Sequence, residues 1–109
     1  MNYTIKEIKF GENRTVHVPV FSDPSLAILQ EFLSSEVQNF KSNILEVIEK
    51  AKNSSEKIEF AGNVCILSIE KGSAKIECAI DEAEIGEPVE IGLVELEQVV
   101  KSWIKDTQK

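Results

Sequence analysis

Between Ile58 and Ile80 the side chains allow the segment to pair with itself in one register. The stretch up to Glu70 is rich in β-branched and aromatic residues, Lys71-Gly72 supplies a tight turn, and Ala74 to Ile80 alternates apolar with polar side chains. Pairing Glu70 with Ser73 sets Ile69 opposite Ala74, Leu67 opposite Ile76 and Cys65 opposite Cys78, a row that is apolar or thiol throughout. A slip of one residue would turn Ile76 and Cys78 to the polar side, so burial of one face selects this register. The two cysteines then become cross-strand neighbours. Nothing basic or helix-terminal lies nearby in sequence to lower a thiol pKa, so they read as reduced, buried thiols packing as small hydrophobes rather than as a redox pair.

The flanking segments change period. Tyr3 and Ile5 share one phase and Ile8 and Phe10 the other, which predicts a strand with a bulge near Lys6-Glu7. After the turn Gly11-Glu12-Asn13, Val16, Val18 and Val20 alternate with Thr15, His17 and Pro19, a strand with one apolar face. Pro19 cannot donate to a ladder and predicts an edge. Ser22-Asp23-Pro24 has the chemistry of a helix start. From Leu26 to Ala51 apolar residues recur at helical spacing, and Ser34-Ser35 predicts a break into two helices, the second ending near Lys52 before Asn53-Ser54-Ser55. Gly86 and Pro88 punctuate a loop before the short extended Val89-Glu90-Ile91. A last amphipathic helix carries Leu93, Leu96, Val99, Val100, Trp103 and Ile104 on one side. The expected fold is a single α+β domain over residues 1–109. Its mainly antiparallel sheet has an N-terminal hairpin, a central hairpin and a short extra strand, with two central helices and a C-terminal helix packed on it.

Charge is distributed very unevenly. Residues Lys75 to Gln98 hold eight acids, Glu77, Asp81, Glu82, Glu84, Glu87, Glu90, Glu95 and Glu97, against the single base Lys75. Elsewhere eleven acids balance eleven bases, so the formal charge of −7 resides in this one stretch. Such a field repels nucleic acid, whose recognition needs clustered Lys and Arg, and attracts a basic partner. Two cysteines and one histidine are too few for a zinc centre or a disulfide scaffold. The acidic run lacks the alternating ligand spacing of a Ca²⁺ loop, and no phosphate-binding glycine loop or metalloprotease helix is present. His17, between two valines, reads as a solvated surface histidine, which leaves no catalytic residue to nominate. The expectation is a protein that is not an enzyme, needs no cofactor, and binds neither metal nor nucleic acid. The start of the chain has no secretory apolar run and no window is apolar enough to cross a bilayer, which predicts a cytoplasmic location and no membrane partner.

Three segments carry a family resemblance. They are Glu36-Val37-Gln38-Asn39-Phe40 followed by Ile44 and Ile48, the box Glu59-Phe60-Ala61-Gly62-Asn63-Val64-Cys65 leading into the hairpin and acidic loop, and Val89-Glu90-Ile91 before the closing helix with Trp103. Together they resemble the small cytoplasmic immunity proteins that bacteria pair with secreted polymorphic toxins, including those of contact-dependent growth inhibition. The resemblance implies a non-enzymatic inhibitor of one toxin domain, commonly a nuclease.

The resulting expectation is a monomer or weak dimer that blocks a basic toxin domain, foremost an RNase. Contact is assigned to Glu77, Asp81, Glu82, Glu84, Ile85, Glu87, Glu90, Glu95 and Glu97, with Ile80, Ala83, Ile85, Val89 and Ile91 as a desolvated centre inside the carboxylate rim. The alternative is a regulatory or assembly subunit that homo-oligomerises through the edge strand Thr15 to Phe21.

Overall fold

The computed structural model describes residues 3–12, 14–78 and 87–107. Strands β1 (Thr4–Phe10) and β2 (Arg14–Val20) form a separate two-stranded antiparallel sheet. Helix α1 (Ala27–Glu31) runs into a π-helical segment (Phe32–Val37), and helix α2 spans Lys41–Lys52. Strands β3 (Ile58–Ala61), β4 (Cys65–Glu70), β5 (Ser73–Cys78) and β6 (Val89–Gly92) make a four-stranded antiparallel sheet in that order. Helix α3 (Leu93–Thr107) closes the described chain. The architecture is the expected α+β arrangement, with the hairpin held as a sheet of its own.

The central hairpin has the register its side chains select. Cys65 faces Cys78, Leu67 faces Ile76, Ile69 faces Ala74 and Glu70 faces Ser73. Lys71 and Gly72 both take positive φ, 50° and 77°, the two-residue turn whose twist matches that of paired strands. Cys65, Leu67, Ile69, Ala74, Ile76, Cys78 and Val89 are buried on the inner face, and they join the helical side chains in one hydrophobic core. The Leu93 amide donates to the Gly72 carbonyl at 2.8 Å, so α3 starts directly from the hairpin turn and lays Leu96, Val99, Val100 and Trp103 into that core.

The N-terminal hairpin departs from expectation. Its pairing runs one-to-one from Thr4 opposite Val20 to Phe10 opposite Arg14, with no extra residue and hence no bulge at Lys6-Glu7. The phase change instead reflects a ribbon with apolar residues on both faces: Ile5 pairs with Pro19 on one side and Ile8 with Val16 on the other. The valine row is not a core face either. Pro19 is buried while Val20 is 40% exposed, and the strand ends before the buried Phe21. The Phe21 amide donates to Gln30 Oε1 at 3.0 Å, and the Tyr3 hydroxyl donates to Asp106 Oδ2 at 2.8 Å, so the ribbon is tied to α1 and α3.

The helical break also lies elsewhere. At Ser34-Ser35 the helix widens without stopping, because Ser35 Oγ donates to the Glu31 carbonyl at 2.7 Å and competes with the main-chain ladder. The wider turn keeps two rows buried at once, Ile28, Phe32 and Glu36 in one, Leu29, Leu33 and Val37 in the other. The break falls at Phe40, whose φ of −131° and ψ of 39° leave the helix before α2 begins. At the front, Asp23 caps the first turn through a 2.9 Å bond from the Ser25 amide, and that bond holds its carboxyl below the usual range.

Trp103 is fully buried and meets Tyr3 edge-to-face at 5.6 Å. Trp103→Ala is therefore expected to cost about 3–5 kcal/mol in chemical denaturation, since the core around a fully buried side chain relaxes only in part into the cavity left behind.

Candidate functional site

Because the inner row of the sheet is fixed, so is the outer one. Glu59, Ser68, Lys75 and Glu90 form one row across the four strands, Ala61, Ile66 and Glu77 the next, and Glu70, Ser73 and Gly92 a third. Lys57, Ser68, Glu70, Ser73, Lys75, Glu77 and Glu90 line a shallow polar depression on this face. Three acids thus stand against two bases in the depression, with Glu59 on the same face as a fourth acid. Lys57 approaches Glu59 at 4.0 Å, whereas among the described residues Glu70, Glu77, Glu87, Glu90 and Glu95 make no ion pair. Glu95, in the first turn of α3, brings its carboxylate back over Gly92, where an added Cβ would stand 3.7 Å from Oε1.

Of the expected contact residues, Glu77 and Glu90 share this face, and Glu87 and Glu95 are exposed beside β6. Asp81, Glu82, Glu84 and Ile85, with Ile80 and Ala83, lie outside the described residues. Glu97 is engaged within the chain. Its carboxylate accepts from Lys52 at 3.0 Å and pairs with Lys101 at 3.1 Å, its side chain is only 18% exposed, and these bonds, Lys52 first, hold its carboxyl below the ordinary range. Glu97 joins α3 to α2, because a carboxylate between two ammonium groups is already neutralised. The expectation for Val89 is corrected. It is buried in the core, and Ile91 on the same inner face is half-buried, so β6 presents Glu90 outward and turns its apolar residues away from a partner on that face.

His17 is half-buried, and its Nε2 meets Glu7 Oε1 at 3.2 Å across the hairpin, where the two residues are paired. A fully solvated histidine is not what the fold provides, since β2 lies against the Phe32–Val37 segment and a polar depression beside His17 is lined by Ser34, Ser35, Gln38 and Asn39. That packing also bears on self-association through β2: Pro19 and Phe21 are buried, and Val20 remains exposed.

The residue that sequence reasoning missed is Glu36. It is fully buried, and its carboxylate accepts from the backbone amides of Asn63 at 3.0 Å, Val64 at 3.4 Å and Cys65 at 3.2 Å. A buried carboxylate needs several donors to replace its lost hydration, and successive amides in a turn supply them without a base. Gly62 completes the cradle: any Cβ there would collide with the Glu36 carboxylate. The signal was present, for Glu36 lies three and four residues from Leu33 and Phe32 on the apolar stripe, a place where an acid is either misplaced or partnered.

Cys65 and Cys78 are free and buried. Burial, followed by the nearby Glu36 carboxylate, pushes the Cys65 thiol up to about 12. Among the described residues no three Cys, His, Asp or Glu side chains converge on a point that would suit a metal ion, and no helix is long and apolar enough to cross a membrane. Comparison with family models, with curated proteins and with solved structures finds no match to this chain or its fold.

Two outcomes follow from the cradle. Glu36→Ala should destabilise by about 2–4 kcal/mol through three stranded amides, and Gly62→Ala by a similar amount through collision. The double variant should cost clearly less than their sum, because the new methyl enters the space the carboxylate leaves, giving a coupling of about 1–3 kcal/mol in denaturant titrations. Cys65 should resist iodoacetamide at pH 8 in the native state and react on unfolding. Between 9, the ordinary thiol value, and about 12, only the unfolded chain ionises, so stability should fall as pH rises through that window.

Proposed function

We propose that this chain is an immunity-type inhibitor: a protein without catalytic chemistry that binds one cationic toxin domain and covers the basic cleft with which that domain holds phosphates. A nuclease, and foremost an RNase, is the toxin class whose surface best complements a carboxylate face. The observation that carries the reading is the outer surface of the four-stranded sheet, where Glu70, Glu77 and Glu90 stand without ion-pair partners among the described residues and Glu87 and Glu95 flank the last strand. Unneutralised carboxylates on a rigid sheet keep their field available to an approaching cation, while carboxylates such as Glu97 that are already paired do not. The resemblance of the Glu36 and Glu59–Cys65 segments to immunity proteins supports the same reading.

Charge on this face acts chiefly on encounter. Replacing Glu70, Glu77 and Glu90 together by glutamine should slow association with the cognate domain by about tenfold at low salt. The difference from the wild-type chain should narrow as the Debye length shrinks to about 3 Å at 1 M salt. The partner to test is a basic carboxy-terminal domain of a large secreted protein, should the neighbouring reading frame encode one. Co-expression should restore growth to cells producing that domain; failure to rescue them, or association indifferent to the triple substitution, would remove the reading.

A further inference from the structure

We propose that Cys65 and Cys78 are a latent disulfide pair: a small-molecule disulfide oxidises them to a bond that staples the open end of the β4–β5 hairpin, and a small thiol reopens it. The inference goes beyond the immunity reading and depends on no partner.

The register brings the two thiols together. Both are free and buried at rest. The two-residue turn at Lys71-Gly72 makes Glu70 and Ser73 a hydrogen-bonded pair, and such pairs recur at every second position, at Ser68 with Lys75 and Ile66 with Glu77. Cys65 and Cys78, one step further from the turn, are therefore a non-hydrogen-bonded pair, with both side chains on the inner face. Directly opposed residues of that kind have Cα atoms about 4.5 Å apart, closer than hydrogen-bonded pairs. Disulfides span Cα separations of about 4.4–6.8 Å, so the bond fits this register at the short end of its range. A bond at that limit carries strain, which makes it reversible rather than permanent.

The two thiols are unequally protected. Cys65 is fully buried, and its main chain is held on both sides, the amide by Glu36 Oε2 at 3.2 Å and the carbonyl by the Gly62 amide at 2.9 Å. Cys78 ends β5, is 7% exposed, and lies beyond Ile76, the last position of β5 that pairs with β6 among the described residues. Opening of this strand end bares Cys78 while the Glu36 cradle keeps Cys65 in place. Burial and the Glu36 carboxylate also disfavour a thiolate at Cys65, so the first attack falls to Cys78. The Cys78 thiolate displaces one thiol from the small disulfide and forms a mixed disulfide. The Cys65 thiolate then attacks the Cys78 sulfur and expels the second thiol. The protein thiols give up two electrons, the reagent disulfide takes them, and both protons end on the departing thiols.

Oxidised glutathione is the probe. The folded chain incubated with it at about pH 8 should lose two hydrogens by intact mass, with peptide mapping joining Cys65 to Cys78, and dithiothreitol should restore the original mass. Cys65→Ser, which leaves Cys78, should take up one glutathione several-fold faster than Cys78→Ser; the reverse ranking would overturn the order of attack. The decisive quantity is the equilibrium with the glutathione pair, approached from both the reduced and the oxidised chain, for the folded protein in buffer and the unfolded one in denaturant. At equal glutathione poise the ratio of closed to open chain should be about 10–100-fold higher when folded, because the bond restricts the unfolded chain and favours folding by the same factor. The closed form should also melt about 5–10 °C above the reduced form. A folded ratio equal to or below the unfolded one, or a mixed disulfide at Cys78 that never resolves, would overturn the pair.

Discussion

The carboxylate of Glu36 sits where the helical layer meets the sheet, and much of the fold is arranged to keep it there. Among the described residues no base pairs with it; three consecutive amides solvate it instead, two from the turn that joins β3 to β4 and one from the first residue of β4. That arrangement dictates the sequence on both sides. The helix must widen so that Glu36 and Val37 can both point inward, which the Ser35 hydroxyl assists by taking a main-chain acceptor. The turn must have a residue without a side chain at Gly62. Cys65 follows at the start of β4 with its amide given to the carboxylate and its carbonyl to the Gly62 amide, so the strand is anchored at its first residue. The same anion disfavours a thiolate at Cys65, which keeps an otherwise reactive group quiet in the core.

The parts of the fold that could be read from sequence are those where one periodicity acts alone. The β4–β5 register needed only a row of apolar partners and a two-residue turn, and α3 only an apolar stripe from Leu93 to Ile104. The N-terminal hairpin was misread because a two-stranded ribbon half-covered on both faces has no single apolar phase: Ile5 and Ile8 point to opposite sides, and Pro19, placed on the polar side by alternation, is the buried one. The position of the helical break was illegible for another reason. A π-helical turn and the kink at Phe40 depend on which side-chain hydroxyl takes which carbonyl, and on a tertiary partner 27 residues away for Glu36. Propensity has no term for either.

The candidate site teaches a related lesson about counting charge. Eight acids in one stretch of sequence do not make eight acids on one surface. Glu97 is used within the chain, where it ties α3 to α2 through Lys52 and pairs with Lys101 on its own helix. Glu77 and Glu90, by contrast, are 13 positions apart but are brought together by pairing β5 with β6, and Glu70, which lies outside the acidic stretch, joins them through the hairpin. Strand register, rather than proximity in sequence, decides which carboxylates share a surface.

Core packing and surface charge are therefore one constraint. In a strand, alternate residues face opposite ways, so the row that buries Leu67 and Ile76 also turns Ser68, Lys75 and Glu90 outward. Shifting the register by one residue would bury carboxylates without donors and expose Ile76 and Cys78, a change opposed by both halves of the balance. The apolar row that stabilises the hairpin thus also positions, with no further specification, the carboxylates of the outer face. For that reason substitutions on the outer face should leave the register, held from within by the core and by the Glu36 cradle, where it is.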